Sequence, residues 1–549
     1  KPDIAAPGSA IVSTGAGTGN QAVTESGTSM ASPHMTGVAA LMRQVHPSWT
    51  VPEIKALLMN TATHDLWTQP NFSGDNYGVS RIGAGRVDVV NALNSNVIAY
   101  HTAHPERVSV SFGLVEVVDS VSIPQTVTVQ NFGGSPETYD VTFQQMNDTP
   151  GVQFSVSPAQ ITVPAGGTTT VTVTLTANKA SMANANIPDP TTPTTQSGAF
   201  GPLPRERIME EGGYVVLTST GAASDLRVPV HAAPRPAADM HADAPVLISD
   251  DDIGFAALHL SGNGVNTGSN YPNDIISEVT AMELVGEDPV TQPTELGGGD
   301  IQYVGVTSDY LSALALCSGD TNCAINNTTI YIGISVYGQW STFMGFESWF
   351  DIGFDSDEDN AYDATVFNFE TGYLINADYT DTILSWFTNG PSWITDGGNP
   401  LGAYFINDIP PSSLETYVFN NNVIVFPVGA VDIGLADGNT DFQFDVLALS
   451  SFFFADYLPT DPPYWFTYDV ANPTYYFNDA NGLAGGPYLG IPIWDDVDGN
   501  SIPVDFNVTG LTTDLPPILL LHHHNSAEAG RAELVSVERE SAQPQPTEE

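Results

Sequence analysis

Hydrophobic and polar residues change rhythm along this chain, and the changes divide it into segments. After Gly27, apolar residues at Ala31, Met35, Val38, Ala39, Leu41 and Met42 run at helical length and predict a helix that closes near His46-Pro47. Thr50-Val51-Pro52-Glu53 then offers an N-cap, an early proline and a Glu three residues on, which is the capping-box spacing. Ile54, Leu57 and Leu58 supply the buried stripe of that second helix. Arg81-Ile82-Gly83-Ala84-Gly85-Arg86-Val87 leads into a last short helix over Val89, Val90, Ala92 and Leu93, so residues 1–98 read as the end of an α/β domain.

From residue 101 the period falls to two. Val108-Ser109-Val110-Ser111-Phe112, Gln125-Thr126-Val127-Thr128-Val129 and the series Val171, Val173, Leu175 alternate with polar residues and are punctuated by Asn131-Phe132-Gly133-Gly134 and Pro164-Ala165-Gly166-Gly167. Strands at this spacing predict a β-sandwich over 101–235, closed by Gly212 to Leu217 and Leu226 to Val230. Asn184 to Gly198 reads as a long exposed loop, and 236–245, with its Pro and Ala, as a linker. Residues 246–540 form a further β-rich region, divisible into two halves, with Tyr331 to Tyr337 and Val423 to Phe426 among its strands. Residues 541–549, rich in Gln, Pro and Glu, are expected to be a disordered tail.

Charge narrows the functional classes. Asp and Glu outnumber Lys and Arg by 63 to 13, a formal charge of −50, which excludes a nucleic-acid binder because phosphates require a basic face. The same excess suits a secreted, calcium-loaded protein or one adapted to high salt. Hydrophobic residues at 42% and aromatic ones at 10% are too plentiful for a chain without a core. No apolar run approaches the roughly 20 residues of a membrane helix. Cys317 and Cys323 bracket a polar turn, a spacing suited to a small-loop disulfide in an oxidising compartment, with two reduced thiols as the alternative.

The stretch Gly27-Thr28-Ser29-Met30-Ala31-Ser32-Pro33-His34 carries the candidate chemistry. A serine is a weak nucleophile and needs a base, a fixed position and support for an oxyanion. Ser29, at or just before a helix N-terminus, faces unpaired N–H groups and the positive end of the helix dipole, a geometry suited to a tetrahedral oxyanion. Pro33 is expected early enough in the helix for its missing N–H to cost little.

This stretch, with Met35-Thr36-Gly37-Val38-Ala39-Ala40-Leu41 after it, resembles the serine segment of the subtilisin-like serine proteases, and Lys1-Pro2-Asp3-Ile4-Ala5-Ala6-Pro7-Gly8 is similar to the segment that precedes it in that family. The resemblance covers about 98 residues and implies Ser29 as the acyl-forming nucleophile, with its own N–H in the oxyanion hole and Thr28 as a helper there. It implies a structural role for His34, because the family's Asp, His and oxyanion Asn come from motifs before the Lys-Pro-Asp segment. Residues 101–235 look like the fibronectin-III-like domain that often follows such a catalytic domain, and the last region is expected to be jelly-roll-like by analogy. The fold class is thus multidomain and mainly β: a remnant of a subtilisin-like α/β domain, a β-sandwich, then a large jelly-roll-like region.

The function this implies is part of a secreted, extracellular endopeptidase acting on protein or peptide substrates, with the missing N-terminal half of the catalytic domain as its necessary partner and the isolated chain inactive. The rival reading is a non-catalytic extracellular binding protein that keeps a protease remnant.

Three polar clusters complete the candidates. Asp355, Asp357, Asp359 and Asp363 lie at i, i+2, i+4 and i+8 in a turn and can converge on a hard cation such as calcium, or be a solvated acidic turn; this is not an EF-hand, since Asn360 and Val366 stand where a Gly and a Glu are needed. Asp495, Asp496, Asp498 and Asn500 form a weaker set. His522 and His524 share a strand face, conceivably as two zinc ligands, although a hydrogen-bonded or exposed strand end is the plainer reading. Arg531 to Val537 is expected to pair back on Ile518 to Leu521.

Overall fold

The computed structural model describes residues 2–182, 189–198, 201–204, 209–243, 245–248, 255–266, 276–291, 298–341, 343, 348–370, 383–391, 400–408, 418–450, 455–460, 464–477, 492–506 and 515–539. The expected tail, 541–549, lies outside them. Two compact units emerge: Lys1–Pro193 with Arg207–Pro236, and Thr194–Glu206 with Ala237–Glu549.

The first unit joins a helical segment to a β-sandwich. Helix α1 spans Thr28–Val45 and helix α2 spans Val51–Asn60. At the start of α2 the Thr50 hydroxyl accepts from the Glu53 amide while the Glu53 carboxylate accepts from the Thr50 amide at 2.6 Å, a reciprocal cap. One sheet orders five strands as Gln160–Val163, Glu137–Asn147, Glu211–Ser219, Leu226–Pro236 and Val110–Val117, and a second orders four as Val97–His101, Ser120–Asn131, Thr168–Asn178 and Val152–Ser157. The period of two explains the packing: Val171, Val173 and Leu175 are fully buried while the threonines between them face outward. Phe143 of one sheet meets Phe154 of the other with ring centroids 5.2 Å apart.

The strand Val97–His101 pairs with Ser120–Asn131, so a boundary at residue 98 cuts through a strand of the sandwich. Arg227 fastens the two parts. Its side chain is almost fully buried; Nη1 meets Asp65 at 2.6 Å, Nε donates to the Ala84 carbonyl at 2.7 Å, and the guanidinium lies 4.1 Å from the Tyr214 ring centroid. A Cβ on Gly85, whose φ is +105°, would overlap that guanidinium, so both the conformation and the approach require glycine there.

Two stretches differ from the expected loop and linker. Within the supposed loop Asn184 to Gly198, residues 184–188 lie outside the described ones, and Thr195–Gly198 pairs with Gly201–Pro204 as a hairpin. The supposed linker 236–245 is structured: Leu226–Pro236 is one strand, Ala237, Ala238 and Met240 are buried, and His241–Ala242 pairs with Leu260 and Ser261. Pro234 and Pro236 suggested a linker, yet they sit where the strand has a ladder on one side, against Val115 and Val117, and the missing N–H groups cost nothing.

The second unit holds two seven-stranded sheets. The first runs Asn421–Gly429, Thr329–Trp340, Ile301–Ser308, Glu278–Glu287, Ile518–His522, Ala532–Val535, with Ile493–Asp495 also on Glu278–Glu287; the second runs Gly402–Phe405, Ile383–Asn389, Ala364–Glu370, Ser348–Asp355, Asp441–Ser450, Ala455–Leu458, with Phe466–Asp469 also on Asp441–Ser450. Successive strands are mostly laid down as hairpins within one sheet. Ile332 and Ile334 of the first sheet share a core with Phe350, Phe354 and Phe444 of the second, while the alternate residues Tyr331 and Trp349 enter separate apolar clusters. Both faces of these strands are covered, which is why their sequences read as nearly unbroken apolar runs. Cys317 and Cys323 form a disulfide, with Cα atoms 5.8 Å apart. No described helix is long and apolar enough to cross a membrane.

Candidate active site

Ser29 is the second residue of α1, and its position is set by glycines on both sides of a close backbone approach. Gly27 caps the helix with φ +149°, a conformation that side chains disfavour. Its amide donates to the Gly8 carbonyl at 2.7 Å, and its own carbonyl receives the Met30 and Ala31 amides at 3.0 and 3.4 Å. A Cβ on Gly8 would stand 2.7 Å from the Gly27 oxygen, so the end of the Lys-Pro-Asp segment presses directly on the turn that carries the serine. The other end of that segment is held by the Gly83–Val87 turn: Ala84 donates to the Asp3 carbonyl, Ala5 to Gly85 and Val87 to Ala5, each at 2.9 Å. Asp3 pairs with Lys55 of α2 at 2.9 Å.

Thr28 and Ser29 are exposed, and their N–H groups belong to the first turn, which has no intrahelical acceptors. No acidic side chain occupies that turn, so the positive end of an 18-residue helix is left open beside the Ser29 hydroxyl. Pro33 is the sixth residue of α1, past the first turn in which a missing N–H was expected to cost little. Its absent N–H falls where an intrahelical bond to the Ser29 carbonyl would form, so the proline frees the acceptor of the serine itself. His34 is exposed, and its Nδ1 lies 2.8 Å from the Met30 carbonyl, a bond to its own helix. Among the described residues no histidine or carboxylate side chain bonds to Ser29.

The helix leaves part of its apolar surface uncovered. Met42 is fully buried, but Leu41 and Val45 are 48% and 49% exposed. Its partners in the described residues, Trp49, Leu57, Leu58 and Ile98, share its core.

The acidic candidates sit in the second unit, and the structure separates them. Asp355, Asp357 and Asp363 each bring a carboxylate oxygen within 4.8 Å of the others. Asp359 does not join them, because its carboxylate turns back to accept from the Ala361 amide at 2.8 Å. The second set disperses: Asp496 bonds to His522, the Asn500 amide reaches the Asp495 carbonyl at 2.7 Å, and Asp498 accepts from the Gly262 amide at 3.4 Å.

The three histidines are all buried and serve different partners. His522 lies between Asp496, at 2.7 Å from Nδ1, and Glu533, at 3.2 Å from Nε2. His523 Nε2 is 2.8 Å from the Thr280 hydroxyl, and His524 Nδ1 accepts from the Glu278 amide at 3.2 Å. Strand alternation ends at His522, so His522 and His524 do not form the shared face a two-ligand site requires. The carboxylates that hold His522 are 26 and 11 residues away, and no local spacing announced them.

With this geometry in place, comparison with known proteins is informative. Residues 1–85 match the subtilase family. Residues 113–231 match an Fn3-like domain. The relatives are subtilisin-like proteases. The minor extracellular protease Vpr of Bacillus subtilis is 40% identical over 106 residues, 18% of this chain and 12% of that protein. Subtilisin-like protease SBT2.6 of Arabidopsis thaliana is 29% identical over 227 residues, 32% of this chain and 27% of that protein, and SBT3.11 of the same plant is 45% identical over 78 residues, 13% of this chain and 10% of that protein. The chain thus spans between a tenth and just over a quarter of the length of these relatives.

Proposed function

We propose that this chain supplies the nucleophilic serine of an extracellular subtilisin-like serine endopeptidase, together with the β domains that follow it. The observation that carries the proposal is the setting of Ser29: exposed, in the first turn of α1, behind a glycine held in a side-chain-disfavouring conformation, where its own N–H and that of Thr28 have no intrahelical acceptor. The subtilase match over residues 1–85 supports it. In the reaction the Ser29 Oγ attacks the peptide carbonyl while its proton passes to an imidazole; the C–N bond then breaks as that proton moves to the leaving amine, and water cleaves the acyl ester to restore the hydroxyl. The Ser29 N–H, at the positive end of α1, donates to the oxyanion. The imidazole and the carboxylate that orients it come from outside the described residues. The uncovered apolar side of α1, at Leu41 and Val45, fits a helix that packs within a larger domain.

The isolated 549-residue chain is therefore expected to be inactive. Incubation of the purified chain and of the whole parent protein with a fluorogenic peptide library checks this. Hydrolysis by the parent alone is the expected result; comparable hydrolysis by the isolated chain would show that Ser29 finds its base within it and would overturn this division of the triad.

A further inference from the structure

We infer that the turn between the strands Ser348–Asp355 and Ala364–Glu370 is a binding site for one calcium ion, with Asp355, Asp357 and Asp363 as its protein carboxylates. The three offer one oxygen each within 4.8 Å of one another. The separate observation that points to a ligand is Asp355 itself. Its residue is fully buried at the end of a central strand, one oxygen accepts from the Asn360 amide at 2.8 Å, and the other, Oδ1, is buried without a hydrogen-bond partner. A buried carboxylate oxygen left unpaired is costly.

No Lys, Arg or His pairs with any of the three acids among the described residues, so the concentration of negative charge is uncompensated by protein. Asp363 is fixed from behind, with its Oδ2 accepting from the Ser356 amide at 2.8 Å and the Ser356 hydroxyl at 2.7 Å. Asp357 is exposed, which leaves the outer side of the site open to water. An all-oxygen set with an open side suits the flexible six- to eight-fold shell of calcium better than the tight octahedron of magnesium. Nitrogen and sulfur ligands, which zinc favours, are absent from the grouping. Bound there, the ion would tie the turn between two central strands of one sheet to its own ends, and so would couple calcium to the stability of the second unit.

The test uses the full 549-residue chain, with titration calorimetry and thermal unfolding in calcium or after chelation, beside Asp355→Asn and Asp357→Asn. Calcium is expected to raise the melting temperature of the wild type by roughly 5 °C at saturation, with magnesium at the same concentration giving a markedly smaller rise. Both variants are expected to lose at least about tenfold in affinity, equal to about 1.4 kcal/mol. Asp357→Asn alters an exposed side chain and keeps the fold, so it reads binding even if Asp355→Asn folds poorly. A wild type that neither binds calcium nor shifts its melting temperature, or an Asp357→Asn variant that responds just as the wild type does, would overturn the site.

Discussion

If the proposed function holds, Ser29→Ala in the whole parent protein is expected to lower peptide turnover by about four to six powers of ten, the scale known for removal of triad members from subtilisin. The loss is expected to fall on the chemical step, because the hydroxyl is the atom that becomes the acyl ester. It should leave the fold alone: Ser29 is exposed, and its side chain makes no hydrogen bond among the described residues, so the change in stability is expected to stay within about 0.5 kcal/mol. Steady-state kinetics of the purified variant, with its melting curve beside that of the wild type, separates the two effects. Turnover within tenfold of the wild type would remove Ser29 from the chemistry.

The second large effect lies far from the serine in sequence, at the buried pair of His522 and Asp496. His522→Ala is expected to destabilise the second unit by on the order of 3–5 kcal/mol, because it leaves a fully buried Asp496 carboxylate without its partner. The loss depends on pH in a defined direction. Burial by itself lowers the His522 pKa, but the Asp496 charge, with hydrogen bonds to Asp496 and Glu533, more than reverses this and raises it from 6.5 to about 9.

A folded value above the unfolded one means that the contribution is complete below about pH 6.5 and is lost as pH rises through about 9. His523 has the opposite sign: burial first, then the charge of His522, pushes it from 6.5 down to about 3, so its contribution is complete above about pH 6.5 and shrinks as pH falls. Urea unfolding of the wild type and His522→Ala at several pH values tests the His522 statement. The gap between the two proteins should narrow steadily from pH 6.5 to above 9; a gap independent of pH would show that His522 contributes packing and no charge.

What could be read in the sequence was what is decided within a few residues. The Thr50–Glu53 cap, the glycine before Ser29 and the alternation of Val171, Val173 and Leu175 depend on neighbours three residues away or fewer, and spacing reveals them. Arg227 and Asp65, or His522 and Asp496, meet across 162 and 26 residues, and nothing in their surroundings distinguishes them from ordinary surface charges. Pro33, expected early enough for its missing N–H to cost little, is the sixth residue of a helix that starts at Thr28 and falls past the first turn. The 236–245 stretch misled because proline and alanine mark linkers by composition, whereas an edge position on one strand accepts both. Among the acids of the 355–363 turn, spacing put four together; the backbone amide of Ala361 removes Asp359 from the group.

The central claim, that Ser29 is an activated nucleophile, is tested most directly by reacting the whole, folded parent protein with a fluorophosphonate probe and locating the adduct by mass spectrometry. An adduct on Ser29 that is absent from Ser29→Ala and from the isolated 549-residue chain is the expected result. A folded parent that takes no label, or takes it on another residue, would contradict the claim and leave α1 as scaffold.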